Sequence, residues 1–250
     1  MKVLVCCKRV PDPSAKIKVK QDGSGIEAEG LKFVINPLDE VAIEEGLRLK
    51  ERHGGEVILF SLGPTQAEDQ IRMGLAMGAD RGILVLYEGF ADSDLVARAF
   101  AAVFQDERPD LVLMGKVSPD TEAGQMGQLA AEYMGLAQAT FASKIELQTD
   151  GLKAVVTREV EGGHEKVEVQ LPAVITCDFR LNTPRYASVP MIMKARAKPI
   201  RKVRLEEIGV ETIAKVQVLK LLPPPKREGG VRVENVEGLL RRLKEEAKVL

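Results

Sequence analysis

The chain has 250 residues, of which 45% are hydrophobic and 29% charged, a composition typical of one large folded domain or one domain with appendages. Its net charge of -1 provides no overall field that would attract nucleic acid or an anionic membrane, and no apolar run approaches the ~20 residues that cross a bilayer. The N-terminus shows neither a secretory signal nor a transit peptide, and the three cysteines make no disulfide framework. We therefore expect a cytoplasmic protein without membrane insertion or bound nucleic acid.

Apolar runs typical of buried strands alternate with helical patterns over the first half of the chain. Strands are predicted at residues 3–7, 57–62, 82–87 and 111–114, and helices at residues 37–53, 65–77, 93–104 and 125–136. Because strands separated by helices of this length are joined by crossover connections, the pattern indicates a doubly wound, mostly parallel α/β sheet. Asn36 is predicted to cap the first helix and Pro37 to begin it.

Two further features are expected near the N-terminus. The sequence Pro11-Asp12-Pro13 is predicted to lie outside regular structure, because proline restricts its own backbone and that of the preceding residue. Residues 17–20 and 31–35 flank a turn sequence at residues 22–25 and are predicted to form a hairpin.

After residue 136 the pattern becomes rich in short strands. Residues 143–148, 153–160, 164–170 and 173–178 are predicted to be antiparallel strands added to the sheet, with turns at 150–151 and 162–163. Residues 181–204 are predicted to be a loop with a short helix. The sequence thus predicts an α/β domain over residues 1–222 and an arm over residues 223–250, which begins at a stiff triple proline.

The arm ends in a predicted amphipathic helix. Its apolar positions recur at helical spacing, at Val236, Leu239, Leu240, Leu243 and Ala247. A single amphipathic helix beyond a proline link cannot cover its own apolar face unless it folds back on its own domain. We therefore predict that this helix docks on a partner subunit.

Motifs for catalysis are missing from the sequence. There is no G-x-x-x-x-G-K-[ST] phosphate loop, and no G-x-G-x-x-G follows the first strand. The two histidines, His53 and His164, lack the spacing for a zinc site or a Ser-His-Asp triad. Cys6, Cys7 and Cys177 are predicted to pack in the core. We expect no catalytic residues and no metal, and therefore a protein that is not itself an enzyme.

The segment from residue 110 to residue 128 is the strongest candidate for ligand binding. A buried strand runs into Gly115-Lys116, then a polar loop, and then a helix with one apolar face. This arrangement points backbone N–H groups and a helix N-terminus at a phosphate. The alternative is that the segment is an ordinary strand–loop–helix unit of an α/β domain, and the residues alone leave both interpretations open.

A series of short motifs across nearly the whole chain resembles the beta subunit of electron transfer flavoprotein. The motifs before residue 130 are Lys8-Arg9-Val10, Asn36-Pro37, Glu44-Glu45, Arg48-Leu49-Lys50, Gly63-Pro64, residues 76–83, and residues 110–116 with Asp120, Gln125, Gly127 and Gln128. Those after it are Thr140-Phe141-Ala142-Ser143, Leu171-Pro172-Ala173-Val174, Arg180-Leu181-Asn182, Pro184-Arg185-Tyr186-Ala187 and Ile192-Met193-Lys194-Ala195, of which the last four are the most specific.

The resemblance implies a fold like that of the adenine nucleotide alpha hydrolases and a heterodimer with a larger alpha subunit. In the family the alpha subunit holds most of the redox FAD, and the beta subunit buries a structural AMP. The family's AMP pocket corresponds here to Cys6, Asn36, Pro37, Leu38, Asp39, Leu62, Gly115, Lys116, Val117, Ser118, Pro119, Asp120, Thr121, Glu122, Ala123, Gly124, Gln125 and Met126. Lys116 and the absence of a bifurcation signature favour AMP over a second FAD.

The resemblance also implies a recognition loop for redox partners at about residues 177–199. Its anchoring apolar residue corresponds to Val189, and the expected partner-binding residues are Val189, Pro190, Tyr186, Met191 and Lys194. An apolar anchor surrounded by polar contacts is typical of a transient interface. The implied partners are acyl-CoA-type dehydrogenases as electron donors in fatty acid oxidation and a membrane quinone oxidoreductase as acceptor.

Three alternatives to this electron carrier remain at the level of sequence. The first is an electron-bifurcating subunit that carries a second FAD and takes part in NADH oxidation. The second is a free-standing adenine-nucleotide sensor without flavin, which would need neither the arm nor the recognition loop. The third is nucleic-acid binding through the basic residues 194–204, against which the near-zero net charge and the lack of interleaved aromatic residues argue.

Overall fold

The computed structural model describes residues 1–148, 151–225 and 229–250. Asp150, which belongs to a predicted turn, and residues 226–228 of the predicted arm lie outside the described residues. The chain divides into two compact units, the first formed by residues 1–16 and 28–218 and the second by residues 17–27 and 219–250. The predicted boundary between residues 222 and 223 and the role of the arm stay predictions.

Within the described ranges, strands and helices alternate as predicted. The strands are β1 (Lys2–Cys6), β2 (Arg9–Pro11), β3 (Phe33–Ile35), β4 (Glu56–Gly63), β5 (Arg81–Leu86), β6 (Leu111–Gly115), β7 (Ala137–Leu147), β8 (Lys153–Val160), β9 (Gly163–Gln170), β10 (Ala173–Cys177) and β11 (Ile200–Arg204). The helices are α1 (Pro37–His53), α2 (Glu68–Met77), α3 (Ser93–Glu107), α4 (Met126–Met134), α5 (Val189–Ala195) and α6 (Val236–Glu245).

A nine-stranded sheet organises the first unit, in the order β11-β5-β4-β1-β6-β10-β7-β8-β9. Neighbouring strands run parallel from β11 to β7, and β7–β8 and β8–β9 are antiparallel pairs. The strands of the centre are apolar on both faces, as expected for a parallel sheet covered on both sides. The predicted doubly wound, mostly parallel α/β fold is confirmed.

The two faces of the sheet pack into two core layers. Val5 and Leu59 point to the layer that contains residues of α1 and α2, whereas the alternate residues Leu4 and Phe60 point to the layer of α3 and α4. In the second layer the rings of Phe60 and Phe100 meet edge to face, with centroids 4.8 Å apart. The three cysteines are buried free thiols, as predicted.

Four predictions about strands are wrong. Residues 31–35 do not pair with residues 17–20, because β3 instead pairs with β2, which includes Pro11 of the supposedly irregular segment. Pro11 is tolerated in the two-stranded sheet formed by β2 and β3, where the strand is at an edge. The strands β7 and β10 are parallel to the central strands rather than antiparallel, and residues 200–204 form a strand, β11, where a loop was expected.

The second unit contains a short turn and the last helix. Val19 and Ile26 form an isolated antiparallel bridge around the turn, and the backbone N–H of Leu221 donates to the carbonyl of Gly23 at 2.9 Å. The helix α6 begins at the predicted apolar pattern, and no residue of it is buried. In the described ranges no helix combines the length and the apolar character that crossing a bilayer requires.

Candidate functional site

A cavity of about 260 Å³ lies in the first unit at the carboxyl ends of β1, β4 and β6. Helices α1, α3 and α4 begin at its wall, so three helix N-termini surround it. Much of the lining is apolar and comes from Cys6, Phe60, Leu62, Met114 and Met126. The crevice at the carboxyl ends of parallel strands is where open α/β sheets bind ligands.

Most of the residues predicted for a nucleotide line this cavity. They are Cys6, Asn36, Asp39, Leu62, Gly115, Lys116, Val117, Ser118, Thr121, Ala123, Gly124, Gln125 and Met126. The predicted residues outside the lining are Pro37, Leu38, Pro119, Asp120 and Glu122. Of these, Pro37 begins α1, Asp120 binds Lys8, and Glu122 has a left-handed backbone with φ of 48°.

Asp39 joins the ends of two strands under the cavity. Its two carboxylate oxygens accept from the backbone N–H groups of Lys8 and Gly115, each at 2.8 Å. Burial raises the pKa of Asp39 to about 6, although these hydrogen bonds and the charge of Lys8 act in the opposite direction. Burial, followed by the charge of Asp39, also raises the pKa of the Cys6 thiol, so the thiol stays protonated and unreactive at neutral pH.

Asn36 connects the start of α1 with the loop after β6. Its side-chain carbonyl caps the helix by accepting from the N–H of Leu38 at 3.3 Å, and its side-chain amide donates to the carbonyl of Val117 at 3.0 Å. The backbone N–H of Asn36 donates to the carbonyl of Lys8 at 2.8 Å. The cap that the sequence predicts therefore also holds the loop at residues 115–125 in place.

Two glycines allow the backbone of this loop to pack closely. A Cβ atom at Gly115 would lie 2.6 Å from the Cβ of Leu38, and one at Gly127 would lie 2.5 Å from the Cγ2 of Thr176. Neither position has space for a side chain. The loop is thus pressed against the start of α1 at one end and against β10 at the other.

Lys116 has its partner on a neighbouring strand end. Its ammonium contacts the carboxylate of Asp178 at 2.6 Å and lies 4.8 Å from the centroid of the Phe141 ring. Burial raises the pKa of Asp178, but the hydrogen bonds from Lys116 and from the backbone of Arg180 outweigh it, so that this pKa lies below its usual range. The charge of Lys116 is therefore already balanced within the fold.

Sequence reasoning missed one wall of the cavity. This wall consists of Phe90, Ala91, Asp92, Ser93 and Val96, together with Val216. Asp92 joins the two parts of this wall. One carboxylate oxygen accepts from the N–H of Leu95, and the other accepts from the N–H groups of Lys215 and Val216. An acidic residue directly before a helix pattern is a cap signal that could have been read, whereas the contact with residue 216 has no signature in the sequence.

Lys8 and Phe60 also line the cavity without having been predicted. Lys8 follows the first strand, and its ammonium donates to Ser118 Oγ at 2.9 Å and to Asp120 Oδ1 at 2.8 Å. A cation directly after a buried strand, at the edge where ligands bind, is the signal that could have indicated it.

The predicted recognition loop presents an apolar surface around α5. Tyr186, Val189, Pro190 and Lys194 are exposed, Val189 with 71% of its surface accessible, whereas Met191 is partly covered. We call the exposed apolar residues Tyr186, Val189 and Met193 the α5 patch.

Both ends of the loop that carries the α5 patch are anchored. Arg185 binds Glu44 of α1 at 2.8 Å and Glu51 at 2.5 Å, and the first of these carboxylates is buried. At the other end, Arg72 of α2 donates to the carbonyls of Ala195 and Lys198 at 3.0 and 2.6 Å. The patch is thus exposed on an anchored support.

The charged groups that line the cavity are held by hydrogen bonds within the fold. The carboxylates in its lining, Asp39 and Asp92, accept hydrogen bonds from backbone N–H groups, and neither His53 nor His164 lines it. In the part of the chain that the structure describes, no group of three or more histidine, cysteine or acidic side chains could hold a metal ion. The geometry supports a ligand with an apolar part and an anionic part.

Comparison with known proteins gives consistent matches. The family described as "Electron transfer flavoprotein domain" matches residues 24–208. The chain is 49% identical to electron transfer flavoprotein subunit beta of Bradyrhizobium diazoefficiens, over 100% of both sequences. It is 46% identical to the mitochondrial beta subunit of Arabidopsis thaliana, over 100% of both, and 44% identical to the human beta subunit, over 100% of this chain and 99% of the human one.

Proposed function

Because the chain belongs to the electron transfer flavoprotein family, among its beta subunits, we propose that it is one half of a heterodimeric electron carrier with AMP in the cavity. The partner in this heterodimer is the alpha subunit, which holds most of the FAD. The match over the full length of named beta subunits supports this carrier over a free-standing nucleotide sensor.

The observation that carries the AMP assignment is the division of the cavity into an apolar and a polar part. Cys6, Phe60 and Met114 offer an apolar wall that fits an adenine ring. The loop at residues 115–125 and the N-terminus of α4 offer backbone N–H groups that fit a phosphate. The residues present therefore fit a nucleotide monophosphate, and they would hold it without any covalent or acid–base step.

The role of this chain in electron transfer is to bind and to position. The flavin supplies the redox chemistry when it is bound, since cofactors carry the chemistry that side chains cannot perform. This chain fills its cavity with AMP, pairs with the alpha subunit, and offers the α5 patch to the redox partner. AMP in this view has a structural role, because a filled cavity secures the carboxyl ends of the strands that support the loop.

The α5 patch fits a transient docking site for acyl-CoA-type dehydrogenases. An exposed apolar residue such as Val189 can anchor a small interface, and a small interface gives a complex that dissociates readily. The anchoring by Arg185 and Arg72 supports this role, since a surface held in place loses little conformational entropy when it binds. Electrons then pass to a membrane quinone oxidoreductase, and we propose a cytoplasmic location for the complex.

A reduction experiment separates a carrier from a bifurcating complex. The chain is co-purified with its alpha subunit, and the flavin absorbance is followed after addition of an acyl-CoA dehydrogenase with its substrate, or of NADH alone. A carrier is reduced by the dehydrogenase and not by NADH. Rapid reduction by NADH alone would contradict the proposal and favour bifurcation with a second FAD.

A further inference from the structure

Lys8 is connected to both parts of the cavity. Its backbone N–H donates to Asp39 at 2.8 Å, below the cavity. Its ammonium donates to Ser118 Oγ at 2.9 Å and to Asp120 Oδ1 at 2.8 Å, on the loop above it. The side chain of Lys8 lies between them in the cavity lining, with 35% of its surface accessible.

The other charged groups of the lining also have partners within the fold. In the described part of the chain, the charged residues that line the cavity are Lys8, Asp39, Asp92 and Lys116. The two carboxylates accept from backbone N–H groups, and Lys116 is paired with Asp178 at 2.6 Å. Lys8 is paired as well, with Asp120 at 2.8 Å, and it differs from Lys116 because its partners Ser118 and Asp120 belong to the loop after β6.

The ammonium of Lys8 also keeps hydrogen-bonding capacity for a ligand. A lysine side chain carries three N–H donors. Two of them are used by Ser118 and Asp120 in the described residues, and these two bonds hold the nitrogen beside the cavity. A phosphate oxygen is the strongest acceptor that a nucleotide can bring to the remaining donor.

We propose that Lys8 recognises the phosphate of the nucleotide in this cavity and gives the site its preference for a phosphorylated nucleoside. The inference rests on the proposed function, because it assumes that a nucleotide occupies the cavity. Ser118 and Asp120 position the ammonium, the apolar wall takes the base, and Lys8 offers its remaining N–H donor to the phosphate. The phosphate is therefore bound by a residue after β1 as well as by the loop after β6.

The test compares AMP with adenosine, which lacks the phosphate. The full chain in complex with its alpha subunit is depleted of nucleotide and titrated calorimetrically with each compound. The variants are Lys8→Gln, which keeps N–H donors for the loop but has no charge, and Lys8→Arg, which keeps the charge. Lys32→Met is the control, since Lys32 pairs with Asp12 on the surface and does not line the cavity.

Lys8→Gln is expected to lower the affinity for AMP about tenfold to hundredfold and to leave the affinity for adenosine within about threefold. Lys8→Arg is expected to restore most of the AMP affinity, and Lys32→Met to change neither. If Lys8→Gln does not fold, Lys8→Met serves in its place, and the Lys8→Arg titration still reports on the charge.

Equal losses of AMP and adenosine affinity in Lys8→Gln would overturn the inference, because Lys8 would then only hold the loop. An unchanged AMP affinity would overturn it as well. If the unmodified complex bound neither compound, the proposed function itself would fail, and that outcome is distinguishable from the others because it appears before any substitution is made.

Discussion

Asp39 is the residue whose environment is least expected from the sequence. It is a charged side chain with 3% of its surface accessible, and its charge helps to raise the pKa of the thiols of Cys6, Cys7 and Cys177. Its hydrogen bonds to two backbone N–H groups compensate for part of the cost of burial. Because the remainder raises its pKa from the ordinary 3.8 to about 6, Asp39 makes the stability of the fold depend on pH.

The sign of this dependence follows from the raised pKa. Between pH ~4 and ~6 the folded protein holds a proton on Asp39 that the unfolded chain has lost, so its contribution to stability decreases as pH rises through this window. Above that window the ionised Asp39 lowers the free energy of unfolding by its full amount. The rise of the pKa from 3.8 to about 6 corresponds to about 3 kcal/mol. Asp39→Asn removes this dependence but leaves one N–H without its acceptor, at a pH-independent cost of about 1–3 kcal/mol.

Urea unfolding of the full chain and of Asp39→Asn at pH 4.5 and pH 7 measures the difference directly. The free energy of unfolding of the unmodified chain minus that of Asp39→Asn should be smaller at pH 7 than at pH 4.5. Other titrating groups cancel in the comparison. A difference in unfolding free energy that does not change with pH would show that the carboxylate is not strained by burial.

Val189 is the residue on which the docking proposal depends. Val189→Asp places a charge in the apolar α5 patch, and we expect reduction of the complex by its dehydrogenase to slow about tenfold at low protein concentration. AMP content and pairing with the alpha subunit should stay unchanged, since Val189 does not line the cavity. Val231→Asp is the matched control, because Val231 is 73% accessible and Val189 71%. If the Val189→Asp complex is reduced as fast as the unmodified complex, the α5 patch is not the docking site.

At the scale of elements, the sequence predicts what local periodicity determines. The central strands are apolar on both faces, and α1 has its cap at Asn36, so their existence and order could be read. The partners of a strand depend on contacts between distant residues. The pairing of β11 with β5 and of β2 with β3 therefore had no local signal, and the basic, exposed residues of β11 resemble a loop.

The site shows the same limit. The part that follows β6 could be predicted because strand, glycine, loop and helix are consecutive in the sequence. The contact of this wall with residues 215 and 216 could not, because sequence separations of 123 and 124 lie between Asp92 and the backbone N–H groups that donate to it. Long-range hydrogen bonds of this kind leave no periodicity to detect.

The anchoring of α5 by α2 is an element-scale feature that can be tested by exchange of backbone hydrogens. Arg72→Met removes the donor to the carbonyls of Ala195 and Lys198, and we expect exchange in residues 189–198 to accelerate about fivefold or more. Mass spectrometry of the exchanged peptides gives the rates. Arg52→Met is the control, since among the described residues the acceptors of Arg52 lie within α1. Equal exchange in Arg72→Met and in the unmodified chain would show that α5 is held by other contacts.

At the scale of the whole molecule, the helix α6 leaves much of its apolar side-chain surface exposed. Val236, Leu239 and Leu240 of α6 are 68%, 45% and 44% accessible, and the helix has no buried residue. A partner protein can cover an exposed apolar helix face of this kind. The prediction that α6 docks on the alpha subunit therefore keeps its physical basis.

Charged substitutions in α6 test this docking. The double variant Leu239→Glu, Leu240→Glu should weaken the pairing with the alpha subunit at least about tenfold, because it places two charges in the proposed apolar contact. Analytical ultracentrifugation of the co-purified complex over a dilution series gives the dissociation constant. Arg241→Glu, on the same helix but outside its apolar face, should have a much smaller effect. Equal weakening by both variants would assign the effect to charge rather than to the apolar contact.

The central claim is that this chain holds AMP in its cavity as the beta subunit of a single-flavin electron carrier. The most direct measurement is to co-express the chain with its alpha subunit, denature the purified complex, and quantify the released FAD and AMP by chromatography. We predict one FAD and one AMP per heterodimer. Two FAD and no AMP would contradict the claim and identify a bifurcating complex, and the absence of both flavin and partner would leave a nucleotide sensor in its place.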